Sequence, residues 1–329
     1  MRCMRIEQYG GPEVVFQCQM PTPRPGPGEV LVRVHFAGIN FMDVHTRQGK
    51  YATSTTYPVR LPCTLGMEGA GEIAEVGPGV QGLQPGDRVA WCLVWGSYAD
   101  YAVVPADRLA RVPDALPLSM AAAALFQGAT AHYLAHDLGE LAPGRSCLVH
   151  AASGAIGQIL VQLARQAGAT VFATASTPAK TAIASARGAQ HVMLYEQGGF
   201  ADRIRELTDG RGVDVVFDPI GRDTLRDSLR ATRKRGLVVN YGNVSGSLGD
   251  LDPIELGEAG SLFLTRPRLA DHMQDADTIQ ARADAIFSAL LDGSLHIDIA
   301  GTYDFADFQD AHHALENRQM VGKPILKIA

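Results

Sequence analysis

Residues 145–168, RSCLVHAASGAIGQILVQLARQAG, constrain this chain more than any other stretch. An apolar run from Cys147 to His150 predicts a buried strand, and a turn of small residues follows over 151–157. Ile159, Leu160, Leu163 and Ala164 then recur at helical spacing. A strand feeding a helix across such a turn aims free backbone N–H groups, and the positive end of the helix dipole, at one point where a pyrophosphate binds. The turn reads Ala151-Ala152-Ser153-Gly154-Ala155-Ile156-Gly157, a variant of the dinucleotide-binding G-x-G-x-x-G.

Where NAD is the cofactor, an Asp or Glu about 20 residues past the glycines holds the ribose 2′-hydroxyl. Here the second predicted strand, 170–175, runs into Ser176-Thr177-Pro178-Ala179-Lys180 with no carboxylate at its end. A carboxylate would repel a 2′-phosphate, whereas Lys180 and small hydroxyl donors such as Ser176 hold one. The charge pattern predicts NADPH. A lysine in the first turn of a helix is otherwise poorly placed, because the dipole disfavours a cation there.

The 329 residues suffice for two domains with cores of their own. With 46% hydrophobic and 19% charged residues the chain is globular, and a net charge of −6 suggests neither nucleic acid nor an anionic membrane as partner. The densest basic run, 230–235, reads as a helix C-terminus, where cations are favoured. No window reaches 18 uninterrupted apolar residues and the N-terminus has no apolar signal core, so no membrane span is expected. Five cysteines (Cys3, Cys18, Cys63, Cys92 and Cys147) without a C-x-x-C argue against a disulfide scaffold and for the reducing cytoplasm.

The first hundred or so residues read as β-rich, with strands at 30–36, 71–76, 87–91 and 97–104 separated by Pro/Gly turns. An alanine-rich helix follows over 119–134 with Ser119 as its N-cap. Strands at 146–151, 170–175, 191–195, 213–217, 236–241 and 261–265, mostly spaced by helical segments, predict a doubly wound, six-stranded parallel sheet of the Rossmann type. The tail reads as a helix at 277–291, a strand at 296–299, a helix at 305–317 and a strand at 324–328, and is expected to rejoin the first domain. His35, His45, His132, His136, His150, His312 and His313 form no recognisable ligand set, and no Gly-x-Ser-x-Gly elbow supports a hydrolase.

Gly38-Ile39-Asn40-Phe41-Met42-Asp43 and Arg47-Gln48-Gly49-Lys50-Tyr51 resemble the signature of the zinc-independent, zeta-crystallin-like quinone oxidoreductases of the medium-chain dehydrogenase/reductase superfamily. The likeness runs on through Gly66-Met67-Glu68-Gly69-Ala70-Gly71, Pro85-Gly86-Asp87-Arg88-Val89, Asp218-Pro219-Ile220-Gly221 and Tyr241-Gly242-Asn243. It closes with 260–267 and Gly322-Lys323, and so spans nearly the whole chain. The resemblance implies an α/β protein with a β-rich, GroES-like catalytic domain of residues 1–118 and 267–329 and an NADPH-binding Rossmann domain of residues 119–266.

Zinc-dependent members of the superfamily place Cys and His at the positions of Asn40 and Met67. An amide and a thioether do not replace thiolate and imidazole as zinc ligands, and Glu68 alone does not hold the ion. No metal is expected. Without a Lewis acid to polarise an alcohol or carbonyl, a quinone is the favoured acceptor, since it takes hydride without such help. The resemblance thus implies an enzyme, an NADPH-dependent quinone reductase, with one- and two-electron steps both open.

It also implies residue roles. Asn40 stands near nicotinamide and substrate as a donor to a quinone oxygen, and Tyr51 lines the ring slot, while Asp43 supports local structure. Ser153, Gly154, Ala155 and Ile156 wrap the pyrophosphate; the family usually has glycine where this chain has Ala155, which is tolerable if φ is negative there. Ser176, Lys180 and Tyr195 form the 2′-phosphate pocket, with Arg318 reaching the same phosphate. Tyr241, Asn243 and Ser245 close the adenine-ribose and diphosphate side, Phe263, Leu264 and Thr265 bring backbone groups to the nicotinamide amide, and Thr130 lies beneath that ring. The sixth strand, at the sheet edge, is expected to pair with its copy in a homodimer. The alternatives are NADPH-dependent reduction of an enone, enal or enoyl-thioester double bond, and an NADPH-binding protein without a catalytic role.

Overall fold

The computed structural model describes residues 1–195, 199–317 and 320–329. The chain forms two compact units, residues 1–129 with 273–329, and residues 130–272. The division falls within helix Leu118–Tyr133.

The second unit is built on six parallel strands in the order His191–Leu194, Thr170–Ala175, Ser146–Val149, Val213–Asp218, Thr232–Asn240 and Phe263–Thr265. Numbered along the chain this is 3-2-1-4-5-6, the doubly wound order in which the sequence direction reverses beside the first strand. Ser146–Val149 and Val213–Asp218 are buried along their whole length, as strands covered on both faces must be. Leu148, Phe172, Val216, Val238, Phe200, Ile204, Leu225 and Leu229 pack one core of this unit.

The first unit holds a seven-stranded sheet ordered Ile299–Asp304, Lys323–Lys327, Glu29–Gly38, Glu68–Val76, Arg88–Cys92 and Leu109–Arg111, with Tyr101–Pro105 also pairing to Glu29–Gly38. The tail thus completes the N-terminal sheet, as expected. A smaller sheet joins Phe16–Gln19, Arg2–Ile6 and Cys63–Thr64. Val30, Val32, Val34, Ile73, Trp91 and Tyr98 are central to the core between strands.

Four local expectations are corrected. Ser119 is the second residue of helix Leu118–Tyr133, not its cap; the Pro117 carbonyl takes the first helical bonds, from Met120 and Ala121. The tail strand is Ile299–Asp304 rather than 296–299, because the partner Lys323–Lys327 sets its register while His296 and Asp298 pair in the preceding turn. Residues 97–100 bend and make only a single bridge, Ala99 to Cys3, with Tyr98 bonded to Leu65 and Met4, and the strand proper is Tyr101–Pro105. In the basic run, Arg230 closes helix Leu225–Ala231, but Arg233 to Arg235 belong to the next strand, where Asp214 pairs with Arg233 at 2.6 Å. No helix among the described residues is long and apolar enough to cross a membrane.

Candidate functional site

In the second unit the turn after Ser146–Val149 is shaped by backbone bonds. Ala152 N donates to Thr174 O at 3.1 Å and Gly154 N to Ala151 O at 2.8 Å, and Ala151 takes a left-handed φ of 50°. Helix Ala155–Gln166 begins directly after Gly154, whose φ is −73°. Ala155 is therefore a helical residue with negative φ, and its methyl group meets the condition set above. The first N–H groups of this helix, from Ala155 to Gly157, have no carbonyl one turn back to accept them. Ser153 is buried, whereas Gly154, Ala155 and Ile156 are half-buried. A Cβ on Gly157 would stand far inside contact distance of the Ala151 carbonyl oxygen and 2.8 Å from the Ala152 Cα, so glycine is required where helix crosses turn.

Beneath the turn lies a buried polar network to which sequence reasoning gave no role. His150 Nδ1 is 2.7 Å from Thr174 Oγ1, and its Nε2 is 3.0 Å from Ser228 Oγ. Ser228 donates its own proton to Asp218 Oδ2 at 2.9 Å. That direction puts the imidazole proton on Nε2 and leaves Nδ1 to accept from Thr174. Burial holds the imidazole below its ordinary pKa, against the opposing charges of Asp218 and Asp227. Asp218 also accepts from the N–H groups of Ile220 and Gly221 and from the Thr224 hydroxyl, and so fixes the loop after its strand.

The remaining candidate residues of this unit lie on separate segments. Helix Pro178–Ala186 is capped by Thr177, which accepts the Lys180 N–H at 3.3 Å; Ser176 is exposed and Lys180 half-buried. Tyr195 turns inward, its hydroxyl accepting the Ala151 N–H at 2.7 Å and its ring lying 5.8 Å from the His150 ring. Its contact is therefore with the turn itself, and burial raises the phenol to about 12. Tyr241 N donates to Asp218 O, and Asn243 is exposed. The Ser245 hydroxyl donates to Ile220 O and accepts the Asp223 N–H, tying its loop to the Asp218 loop. Phe263 is 61% exposed on the edge strand, with Leu264 and Thr265 half-buried beside it. Thr130 is buried in the interior of helix Leu118–Tyr133. Arg318 lies outside the described residues.

The first unit carries a second polar cluster. Asn40 precedes helix Phe41–Arg47, and its N–H donates to Asp43 Oδ2 at 2.8 Å across the first turn. The Asn40 amide nitrogen donates to Glu68 Oε2 at 3.0 Å and to Gly38 O at 3.3 Å, while its oxygen accepts from Lys323 Nζ at 2.6 Å. Lys323 and Glu68 are both fully buried and joined at 2.6 Å, and the second Glu68 oxygen accepts the Phe126 N–H at 2.7 Å. Gly38 makes room for this pair, since a Cβ there would overlap Glu68 Oε2 and the Ala122 carbonyl. Asp43 accepts from Asn40, from Met67 N at 3.1 Å and from the Tyr98 hydroxyl at 3.1 Å. Burial nevertheless pushes its carboxyl up to about 7.

Beside this cluster Phe41, His45, Tyr51 and Tyr57 form a run of rings with successive centroids 6.3, 6.2 and 5.7 Å apart. Burial, with Lys50 nearby, lowers His45 to about 4, so the imidazole is neutral at physiological pH. Tyr51 thus sits in an aromatic group whose first ring, Phe41, follows Asn40 directly in sequence. The Asn40–Glu68–Met67 set is an amide, a carboxylate already bonded to an ammonium, and a thioether. Among the described residues no group of three or more His, Cys, Asp or Glu is placed to hold a metal ion.

Residues 26–114 match the alcohol dehydrogenase GroES-like domain, and residues 155–267 match the family described as zinc-binding dehydrogenase. The chain is 38% identical over 328 residues to a 2-haloacrylate reductase of a Burkholderia species, covering 98% of this chain and 97% of that protein. It is 36% identical over 324 residues to a quinone oxidoreductase of Pseudomonas aeruginosa, covering 98% of each. The solved structure of Escherichia coli quinone oxidoreductase complexed with NADPH superposes with a TM-score of 0.94 at 34% identity, over 99% of this chain and 100% of that one. With likeness over the full length in both sequence and fold, the chain belongs to the quinone oxidoreductases of the medium-chain dehydrogenase/reductase superfamily.

Proposed function

We propose that this chain is an NADPH-dependent quinone reductase. The observation that carries the reading is the full-length likeness to quinone oxidoreductases, one of them solved with NADPH. The segment after the second strand supports the cofactor choice, since it carries exposed Ser176 and, in the helix that follows, half-buried Lys180, without a carboxylate, a charge set that suits a 2′-phosphate. The glycine crossing at Gly157 and the unpaired start of helix Ala155–Gln166 suit a pyrophosphate.

In this reading the N–H groups of the turn and first helical turn, from Ser153 to Ile156, hold the pyrophosphate, and Lys180 with Ser176 balances the 2′-phosphate. Tyr195 keeps the turn in shape by accepting the Ala151 N–H. Tyr241, Asn243 and Ser245 border the nucleotide, and Thr130 with Phe263, Leu264 and Thr265 borders the nicotinamide. When bound, NADPH supplies a hydride to an electrophilic acceptor. The rings of Phe41, His45, Tyr51 and Tyr57, successively inclined by 45°, 63° and 69°, offer an aromatic lining against which one face of a quinone packs. Asn40 reaches a quinone oxygen by releasing its longer bond, the 3.3 Å one to Gly38 O, while Glu68 and Lys323 keep the amide oriented. In this reading the protons follow from solvent. We assign the edge strand Phe263–Thr265, with Phe263 61% exposed, to a homodimer contact, and the cytoplasm as location.

The likeness to a 2-haloacrylate reductase favours a second reading, hydride delivery to an activated C=C bond. The test follows absorbance at 340 nm with NADPH and then NADH against 1,4-benzoquinone, 9,10-phenanthrenequinone, 2-chloroacrylate and a simple enone. Rapid NADPH oxidation with quinones is expected; turnover on the olefins alone would move the function to double-bond reduction. Lys180→Glu is expected to raise the KM for NADPH at least tenfold more than that for NADH, and equal effects would overturn the role of Lys180.

A further inference from the structure

Strands Arg2–Ile6 and Phe16–Gln19 pair antiparallel in a register that sets Cys3 directly opposite Cys18. Met1 and Met20, two residues along each strand, exchange both backbone bonds at 2.9 and 2.6 Å, so Cys3 and Cys18 also occupy a hydrogen-bonded pair. The Cα atoms of such a pair stand about 5.5 Å apart, at the usual separation for a disulfide. The sulfur atoms lie 3.0 Å apart as thiols. Phe16–Gln19 is the outer strand of its sheet, and Cys18 is the one cysteine of the five that is not fully buried. Cys63, Cys92 and Cys147 are buried, and no sulfur–sulfur contact is found for them among the described residues.

We propose that Cys3 and Cys18 form a reversible dithiol–disulfide site, with Cys18 meeting the oxidant and Cys3 resolving the product. With hydrogen peroxide as oxidant, the Cys18 sulfur attacks one oxygen. The O–O bond breaks, Cys18 becomes a sulfenic acid, and water leaves carrying the thiol proton. The Cys3 sulfur then attacks the Cys18 sulfur, the S–O bond breaks, and a second water leaves with the Cys3 proton. In sum two thiols give two electrons and two protons to one peroxide, yielding a disulfide and two waters. The division of labour follows from access, since Cys3 is fully enclosed. Burial and the adjacent Cys18 also raise the Cys3 thiol to about 11, which makes it a poor first nucleophile.

The test treats the full-length protein with hydrogen peroxide, alkylates remaining thiols in denaturant, and maps unreduced peptides by mass spectrometry. The expected result is loss of two of the five thiols, a linked peptide pair containing Cys3 and Cys18, and full recovery with dithiothreitol. Cys18→Ser, an edge-strand change that leaves the core intact, should keep its four remaining thiols free under the same treatment. Cys3→Ser should accumulate a dimedone-reactive Cys18. Retention of all five thiols, over-oxidation of Cys18 with Cys3 still alkylated, or a Cys18–Cys18 link between two chains would each overturn the proposal.

Discussion

Replacing Lys323 by methionine keeps roughly the side-chain volume and removes one ammonium from a site with no solvent exposure. The charge that remains, on Glu68, keeps the Asn40 amide and the Phe126 N–H but loses its only ion pair among the described residues. Breaking a buried pair from one side costs about 3–5 kcal/mol, because an uncompensated charge is left in low dielectric. For a unit of this size that is a fall of about 10 °C in Tm. Removing the second charge as well, in Glu68→Gln/Lys323→Met, should restore a large part of the loss, since a neutral pair is easier to bury than a lone ion. Urea unfolding of wild type, both single variants and the double variant gives the full cycle. A Lys323→Met loss below 1 kcal/mol, or a double variant no more stable than that single one, would refute the reasoning.

Gly157→Ala should lower NADPH affinity at least tenfold by titration, because its Cβ meets the Ala151 carbonyl. Gly154→Ala, with φ −73° and a nearest contact of 3.1 Å, should lower it far less. Equal effects would show that the helix–turn crossing is not the constraint. Asp43 titrates at about 7 in the fold against an ordinary 3.8, so its contribution is fully present below about pH 4 and is lost as pH rises through 7. Relative to Asp43→Asn, wild type should therefore lose up to ~4 kcal/mol between pH 4 and pH 8. Parallel stability–pH curves for the two proteins would contradict this.

The fold was legible where the signal is local. The run Cys147 to His150, the small-residue turn and the spacing of Ile159, Leu160 and Leu163 each lie within a few residues, and they predict strand, turn and helix where these occur. The missing carboxylate after Ala175 was likewise visible as a charge pattern. Lys323 was legible only as part of a resemblance, and Glu68 only there and as a lone carboxylate weighed against zinc, because 255 residues separate them and nothing local marks a buried pair. His150 read as filler for the same reason: Thr174 and Ser228, which give it a fixed tautomer, stand on separate segments. Asn40 was legible as a site residue, but not that each of its polar groups already has an internal partner. The strand at Ile299–Asp304 was misplaced because its position is dictated by a neighbour, which periodicity does not report.

The tail that finishes the N-terminal sheet has a consequence for the chain as it leaves the ribosome. Residues 130–272 are contiguous, so they have their whole set of strands as soon as they emerge. Residues 1–129 are made before it, yet they wait for Lys323–Lys327, made well after it, before Glu29–Gly38 gains that neighbour and Glu68 its counter-ion. At synthesis rates of about 5–20 residues per second, that wait lasts roughly ten seconds or longer. During it an early-made sheet edge is open and an acidic side chain is uncompensated. The earlier-made part of this sheet therefore matures after the unit that follows it, and translation speed over residues 130–323 sets how long that nascent surface stays available to chaperones or to misassembly.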